Sequence, residues 1–466
     1  KKDLDHNEIQ SIYENDKKDF INKMKNNEEM IIYNNYDVVS LAVLYNRYKN
    51  TFKNSEYTQN IDLKQKLTIG SIIWEVFDKY NKNKNLPKLE YDDYKAILNH
   101  KIAGRVELFN GVQQIEERLS SYDVCSLYPF ICSVYKCYFP SGEVIKSSWN
   151  EFNDFRNEEG DNIKIYKSFT EKDDFKEEQI KDWIHGKKFN NELWDDIEGD
   201  IIDIERQPTA LDNKTRYIIT FDKKTTPNKN HLGFFWCNVN QSNLIKKNLP
   251  LIYAKKIYDK RGNLLKNDWK NGILENVFLS SVIIDALIKY GCKVEFIDKK
   301  GLYFNQVYRN YELFGFLQDF MKGKNDQDKL KGKEEYNGAL RETLKLLMNA
   351  ISGKVIEGLH YDKIKLVNEY DYHKIKNDSK TSKINTIDMK GNKIFISYSI
   401  EEEELIKKQR PVYLGAFIYD HAKMYMYKHI YSKIGLKNLV YTDTDAGKFR
   451  AKKLKSVMNY YTTNQV

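Results

Sequence analysis

Apolar positions along the chain switch between a helical period and a strand period, and the switches mark out its elements. The first 50 residues read as helical. A polar stretch leads into Asp37–Tyr48, where Val38, Leu41 and Tyr45 recur at helix spacing with Leu44 and Tyr48 alongside. Residues 51–100 alternate helical patches with Asn/Lys-rich loops, broken at Pro87. Val112–Leu119 reads as a strand end, and Ser121–Pro129 as a strand turning sharply at Pro129. Residues 141–235 mix acidic and basic runs without a clear period, which predicts an inserted subdomain or surface excursion. The pattern then sharpens: a strand over Leu249–Tyr258, a turn over Asp259–Asn263, a helix over Phe278–Tyr290 ended by Gly291, and a strand over Val294–Ile297. Residues 311–352 predict two helices joined by Lys322–Lys329. The second carries Leu340, Leu344, Leu347 and Met348 on one side, with Lys333, Arg341 and Lys345 among them. Mixed strand and turn fill 354–410, and Val412–Ile434 reads as a long helix rich in Tyr and Met. Leu439–Phe449 reads as strand, turn and return strand. The sum is an α+β chain without an internal repeat.

Composition narrows the classes. A chain of 466 residues has room for two to four domains of about 100–200 residues each. No run approaches the roughly 18 apolar residues of a membrane helix, so no membrane partner is expected. The net charge of +9 points to an anionic partner, and the 14% aromatic content argues against disorder. Cys125, Cys132, Cys137, Cys237 and Cys292 form no Cys-x-x-Cys pair and are odd in number. That fits a reduced intracellular compartment (host cytoplasm, nucleus, mitochondrion or virion factory) better than a disulfide framework or zinc site. The histidines show no metalloprotease spacing.

Three placements carry candidate chemistry. Asp443 and Asp445 lie two apart at a predicted hairpin tip, where a period of two turns both side chains to one face. Paired carboxylates repel until a cation neutralises them, which suits a divalent metal. The same pattern also serves as plain turn chemistry, and the Gly and Glu an EF-hand requires are missing. Asp123 ends an apolar strand, where a cap is the simpler reading. Arg341, Lys345, Asn349 and Gly353 follow one another along a basic helix with Lys333 upstream; a solvated face would look the same. Taken together they change the balance. Two-metal phosphoryl transfer needs carboxylates from separate strands and cationic side chains for the phosphates.

On these residues the chain resembles the B-family DNA polymerases. Asp123-Val-Cys-Ser-Leu-Tyr-Pro matches every fixed position of the first palm motif, Asp-x-x-Ser-Leu-Tyr-Pro. Lys345-Leu-Leu-Met-Asn-Ala-Ile-Ser-Gly353 resembles the fingers motif, Lys-x-x-x-Asn-Ser-x-Tyr-Gly, and Tyr441-Thr-Asp-Thr-Asp-Ala446 resembles the second palm motif, Tyr-x-Asp-Thr-Asp-Ser. They occur in the family's order. The similarity is greatest to the protein-primed branch of phages, adenoviruses, linear plasmids and related elements. It extends to Leu249-Pro-Leu-Ile, Lys299-Lys-Gly-Leu-Tyr-Phe and Pro411-Val-Tyr-Leu-Gly-Ala-Phe-Ile, and is weak across 141–240. Tyr33-Asn-Asn-Tyr-Asp37 resembles the third exonuclease motif, Tyr-x-x-x-Asp.

The resemblance implies a right-hand polymerase fold of palm and fingers, with the C-terminal end of an RNase H-like 3′-5′ exonuclease domain. Its implied divisions are 1–50 exonuclease end, 51–115 connector, 116–140 palm, 141–247 first terminal-protein region, 248–310 palm, 311–353 fingers, 354–410 second terminal-protein region, and 411–466 palm. The missing initial Met, the missing earlier exonuclease motifs and the few residues after Asp445 lead us to expect a fragment without most of the thumb. The implied cofactors are two Mg²⁺ ions, held by Asp123, Asp445 and the Val124 position, with Asp443 beside them. Tyr128 is the implied steric gate against a 2′-hydroxyl. Ser126 and Leu127 fall in the nucleotide site, and Lys345, Asn349, Lys333 and Arg341 toward the triphosphate and nascent pair. Ala103-Gly104-Arg105 stands where a Gly-Gly element is expected. Gly104, Arg105, Tyr441, Thr444 and Gly353 are the expected DNA contacts, and Tyr33 with Asp37 an exonuclease remnant. Implied partners are DNA template-primer, dNTPs and a terminal priming protein. Ala350, Ser352 and Ala446 depart from the motifs. A two-metal nuclease and a non-catalytic DNA-binding descendant stay open, whereas a reverse transcriptase would carry Tyr-x-Asp-Asp.

Overall fold

The computed structural model describes residues 28–53, 68–109, 118–170, 201–208, 214–242, 252–269, 272–358, 362–390, 393–435 and 438–450. They fall into two units, one of residues 1–83 with 313–354 and one of residues 84–312 with 355–466.

The first unit is helical where described: Glu28–Lys53, Ile69–Tyr80, Phe316–Leu330 and Gly338–Val355. Thr68 starts the second of these with a capping box, its Oγ1 accepting the Ser71 N–H at 3.1 Å. Ile72, Ile73 and Phe77 are buried, with Phe77 against Trp74 and Phe314. Leu344, Leu347 and Met348 bury the expected apolar side of the last helix. Two expectations change. Val38, Leu41 and Tyr45 are exposed on Glu28–Lys53, so their helical spacing marks no buried face among the described residues. Lys322–Lys329 is helix, not linker: Lys324–Asp328 and Lys329–Asp326 are ion pairs at helical spacing, each 2.9 Å. The joint lies further on, where Gly332 adopts φ +88°.

The second unit holds the strands. In chain order they are β1 Val106–Leu108, β2 Leu119–Asp123, β3 Tyr138–Lys146, β4 Asn162–Thr170, β5 Ile201–Pro208, β6 Lys214–Lys224, β7 Gly233–Asn240, β8 Lys255–Tyr258, β9 Leu264–Asp268, β10 Ile273–Ser280, β11 Lys293–Arg309, β12 Asp362–Val367, β13 Thr381–Lys390, β14 Lys393–Ile400, β15 Leu439–Asp443 and β16 Ala446–Arg450. The central antiparallel sheet has the order β10-β7-β11-β3. Phe235 and Phe304 on this sheet are fully buried, as are Phe417 and Tyr413 on the helix Val412–Tyr425. Trp149 stacks on Phe296 at 4.7 Å. β3 and β7 overlap the two ends of the stretch 141–235 expected as a surface excursion. Gly233-Phe-Phe-Trp-Cys is a doubly buried run without alternation, so the charged runs beside it masked it. The excursion narrows to a separate sheet, β4-β6-β5.

Smaller corrections have local causes. The helix expected from Phe278 begins at Ser281, because Phe278 and Leu279 pair with β7 and Ser280 caps the helix by accepting the Ile283 N–H. Of the expected strand Leu249–Tyr258, residues 249–251 lie outside the described ones, and within 252–258 the strand is β8. Residues 110–117, which carry most of the expected Val112–Leu119 strand, lie outside them too. The Asp259 carboxylate accepts the N–H groups of Arg261 and Asn263, both at 2.8 Å, closing the β8–β9 turn as expected. Residues 362–400 form the sheet β12-β14-β13, with Val367, Ile394, Ile396 and Tyr398 as its own small core. The long helix runs from Val412 to Ile434 but widens to a π turn at Met426–Tyr431. Among the described residues no helix is long and apolar enough to cross a membrane.

Candidate active site

The fourth sheet builds the site. Its order is β1-β15-β16-β2, so the C-terminal hairpin sits between two strands from far earlier in the chain. The register makes one transverse row: Val106 opposite Asp443, Asp443 opposite Ala446, Ala446 opposite Asp123. Residues paired in a row share a face, so Asp443 and Asp123 flank Ala446, two strand spacings or about 10 Å apart along the row. Ala446 thus puts the smallest side chain between the two carboxylates.

Asp445 departs from the expectation of strand alternation. It lies in the turn, after Thr444 at φ +55°, and the left-handed residue breaks the period of two. Two backbone bonds fix that turn: Thr444 N–H donates to the Arg105 carbonyl at 2.7 Å and Val124 N–H to the Asp445 carbonyl at 2.9 Å. Burial pushes the Asp445 carboxyl up, and the charges of Asp123 and Asp443 push it the same way. The three carboxylates therefore interact. Tyr441 donates its hydroxyl to Asp443 at 3.2 Å. Beneath the row, fully buried Thr442 donates to the Ala446 carbonyl at 2.9 Å and bonds the Tyr431 hydroxyl at 2.8 Å, tying the hairpin to the π turn. Neither Thr442 nor Tyr431 stood out in the sequence; the inward parity of Thr442 in a short strand was the one available signal.

The first motif turns earlier than expected. β2 ends at Asp123, Ser126 takes φ 53° and ψ 53°, and a helix covers Leu127–Ser133. Pro129 lies in its first turn, where its missing N–H removes no intrahelical bond. Leu127 is buried and anchors the helix. Tyr128 accepts the Gly104 N–H on its hydroxyl at 3.2 Å, and its ring lies 5.2 Å from that of Tyr419. Burial raises its pKa, helped by Tyr419 and more weakly by Asp445, so the phenol stays neutral.

Arg105 is corrected. It is 4% exposed, its Nε donates to Glu107 at 2.8 Å, and its guanidinium stacks over Phe109 and Trp269 at 4.9 and 4.8 Å. A desolvated, paired and stacked guanidinium is an internal anchor, so the side chain is not presented to solvent as a phosphate contact would be.

The remaining candidates lie in the first unit. Lys345 is half-buried with Nζ 3.9 Å from Glu342. Arg341 pairs with Asp328 at 2.5 Å, and that pairing with Lys324 holds the Asp328 carboxyl down to about 2. Arg341 is thus engaged with Asp328 in this structure. Asn349 and Gly353 are exposed on the same helix, Lys333 is exposed in the connecting loop, and Ser352 is buried. Tyr33 and Asp37 lie on the helix Glu28–Lys53, with Asp37 exposed.

Among the described residues no three His, Cys, Asp or Glu side chains close on one point as a ready-made metal cage. Mg²⁺ is seldom held that way: one or two carboxylates, waters and substrate phosphates complete its octahedron. Asp123 and Asp445, hard oxygen donors whose charges repel, fit that requirement.

Residues 1–189 and 208–435 match the family DNA polymerase type B, organellar and viral, and the chain belongs to that family. The match stops short of the Asp443–Asp445 hairpin, which joins the site through its strand pairing and the bonds of its turn. Among solved structures, phi29 DNA polymerase complexed with primer-template DNA and incoming nucleotide substrates is similar at 17% identity, over 83% of this chain and 49% of that one, with a TM-score of 0.43. The same polymerase complexed with single-stranded DNA gives 16% identity over 85% and 49%, with a TM-score of 0.44. The chain therefore spans about half the length of the solved structures it matches. No curated protein matched the sequence.

Proposed function

We propose that the protein is a DNA-directed DNA polymerase, transferring deoxynucleotides from dNTPs to a primer 3′-hydroxyl under template direction. The observation that carries this reading is the row Asp443–Ala446–Asp123 with Asp445 in the adjoining turn. It gathers carboxylates from two distant segments at one end of the sheet. Asp123 and Asp445, with the Val124 backbone, would hold divalent cations, and Asp443 would support them. When bound, two Mg²⁺ ions would supply Lewis-acid stabilisation to the attacking and leaving oxygens. The primer 3′-oxygen attacks the α-phosphorus in line, its proton leaves, and pyrophosphate departs. Tyr128, neutral and held by Gly104, would present its ring edge to the sugar and exclude a 2′-hydroxyl. Lys345 would neutralise the triphosphate, with Asn349 supporting the nascent pair.

Finer assignments belong to the same reading. Membership of an organellar and viral family supports replication of a viral or other small genome, and the motif resemblance to the protein-primed branch would make the primer a protein. The helix bearing Tyr33 and Asp37 would be the end of an exonuclease domain. The sheets β4-β6-β5 and β12-β14-β13 would belong to the two terminal-protein regions. The test is primer extension by the full natural chain on primed DNA with Mg²⁺, beside Asp123→Asn and Asp445→Asn. Extension lost by about 10³-fold or more in both, with DNA binding retained, is expected. Tight binding without extension, even after a terminal protein is added, would return the non-catalytic reading.

A further inference from the structure

Gly104 and Arg105 join two parts of the site that sequence order keeps apart. The Gly104 N–H holds the hydroxyl of Tyr128, and one residue on, the Arg105 carbonyl holds the N–H of Thr444. Thr444 precedes Asp445, whose carbonyl accepts from Val124, and Val124 leads through the turn back to Tyr128. The bonds therefore close a ring. It runs from Tyr128 through Gly104 and Arg105 to the carboxylate turn, and home through Val124. Arg105 makes one side of the ring stiff, being buried, paired with Glu107 and sandwiched between Phe109 and Trp269.

Gly104 is required there by proximity. Its backbone lies outside the left-handed region, so other residues could adopt it. A Cβ, however, would come within 2.4 Å of Thr444 Cγ2 and 2.7 Å of its Cβ and Oγ1. Contacts that short force a shift. The shift would pull the segment from Tyr128 or tilt the turn that carries Asp445.

We propose that Gly104 and Thr444 are positioning residues for sugar discrimination: they set where the Tyr128 ring stands relative to the carboxylates, without touching the nucleotide. The inference rests on the reading of Tyr128 as the sugar gate. It makes the segment a gauge between gate and metal site instead of a DNA contact.

The experiment measures kcat/KM for dNTP against rNTP on primed DNA, using the full natural chain and four variants. Tyr128→Ala tests the gate itself. Gly104→Ala should lower the dNTP/rNTP ratio by at least about tenfold. Adding Thr444→Gly should restore most of it, because glycine both clears the space and suits the φ of +55°. Tyr128→Phe keeps the ring but removes the acceptor for Gly104, so its ratio should fall as well. That variant deletes one hydroxyl and keeps the inference testable should Gly104→Ala fail to fold. A Tyr128→Ala ratio that collapses beside an unchanged Gly104→Ala or Tyr128→Phe ratio overturns this inference alone. Lower activity of Gly104→Ala at an unchanged ratio, or no recovery with Thr444→Gly, overturns it too. An unchanged ratio in Tyr128→Ala removes the gate reading and the inference with it.

Discussion

The carboxyl of Asp445 is raised by burial first and by Asp123 and Asp443 next. Between its unfolded and its folded pKa the folded chain binds the extra proton, so stability falls as pH rises through that window. Above the window the full penalty stands, and at neutral pH ionised Asp445 destabilises the metal-free protein. Asp445→Asn should therefore raise Tm at pH 7 while abolishing synthesis. The gain should be small, because the side chain is partly exposed, and should vanish below the unfolded pKa. Mg²⁺ should raise the wild-type Tm more than that of the variant. Thermal melts across pH, with and without Mg²⁺, check both; a variant less stable than wild type at pH 7 would sink the argument. The three Asp residues could be picked from the sequence because carboxylates at strand ends are chemically conspicuous in a basic chain. Arg105 could not, because an Arg beside a Gly reads alike whether it faces a phosphate or Glu107, and Trp269 that stacks on it is remote in sequence.

Packing is close where the helix Val412–Tyr425 passes Ile356, and part of that contact is backbone. A Cβ on Gly415 would lie 2.4 Å from the Ile356 Cβ and 3.0 Å from its backbone N and Cα. Backbone cannot step aside as a side chain can. Overpacking of about 1–3 kcal/mol should outweigh the roughly 1 kcal/mol that alanine adds to a helix. Gly415→Ala should lower the urea midpoint with an unchanged m value, and a raised midpoint would contradict the packing described. The long helix itself was legible, since its Tyr- and Met-rich run has no proline from Val412 to Ile434 and only the single Gly415 against it. Its π turn was not: one extra residue per turn leaves no mark on an all-round apolar pattern. The joint between the two helices of the first unit was misplaced for a related reason. A Lys/Asp-rich run reads as loop until Lys324–Asp328 and Lys329–Asp326 are seen at helical spacing.

Across the whole molecule the net charge of +9 has a measurable consequence. Binding that neutralises phosphates releases counterions, so DNA affinity should fall at least about tenfold between 50 and 200 mM salt. Fluorescence anisotropy over that range tests it; a flat response would remove the electrostatic account of binding. Three motifs set the expected order of the large parts. The limits of the first insertion were not legible, because β3 and β7 are strands of the central sheet set beside charged runs. The nesting of the hairpin between β1 and β2 also bears on how the chain matures. Among the described strands, β1 and β2 each pair with the hairpin and not with each other. A ribosome makes residues 439–450 after every other described element, so until then Asp123 ends a strand without a neighbour. Two bare edges wait for one late insert, and open edges invite pairing with other chains. A product cut short just before Leu439 would therefore be sticky as well as inactive, and the repulsion among the carboxylates would first be felt as the last hairpin docks.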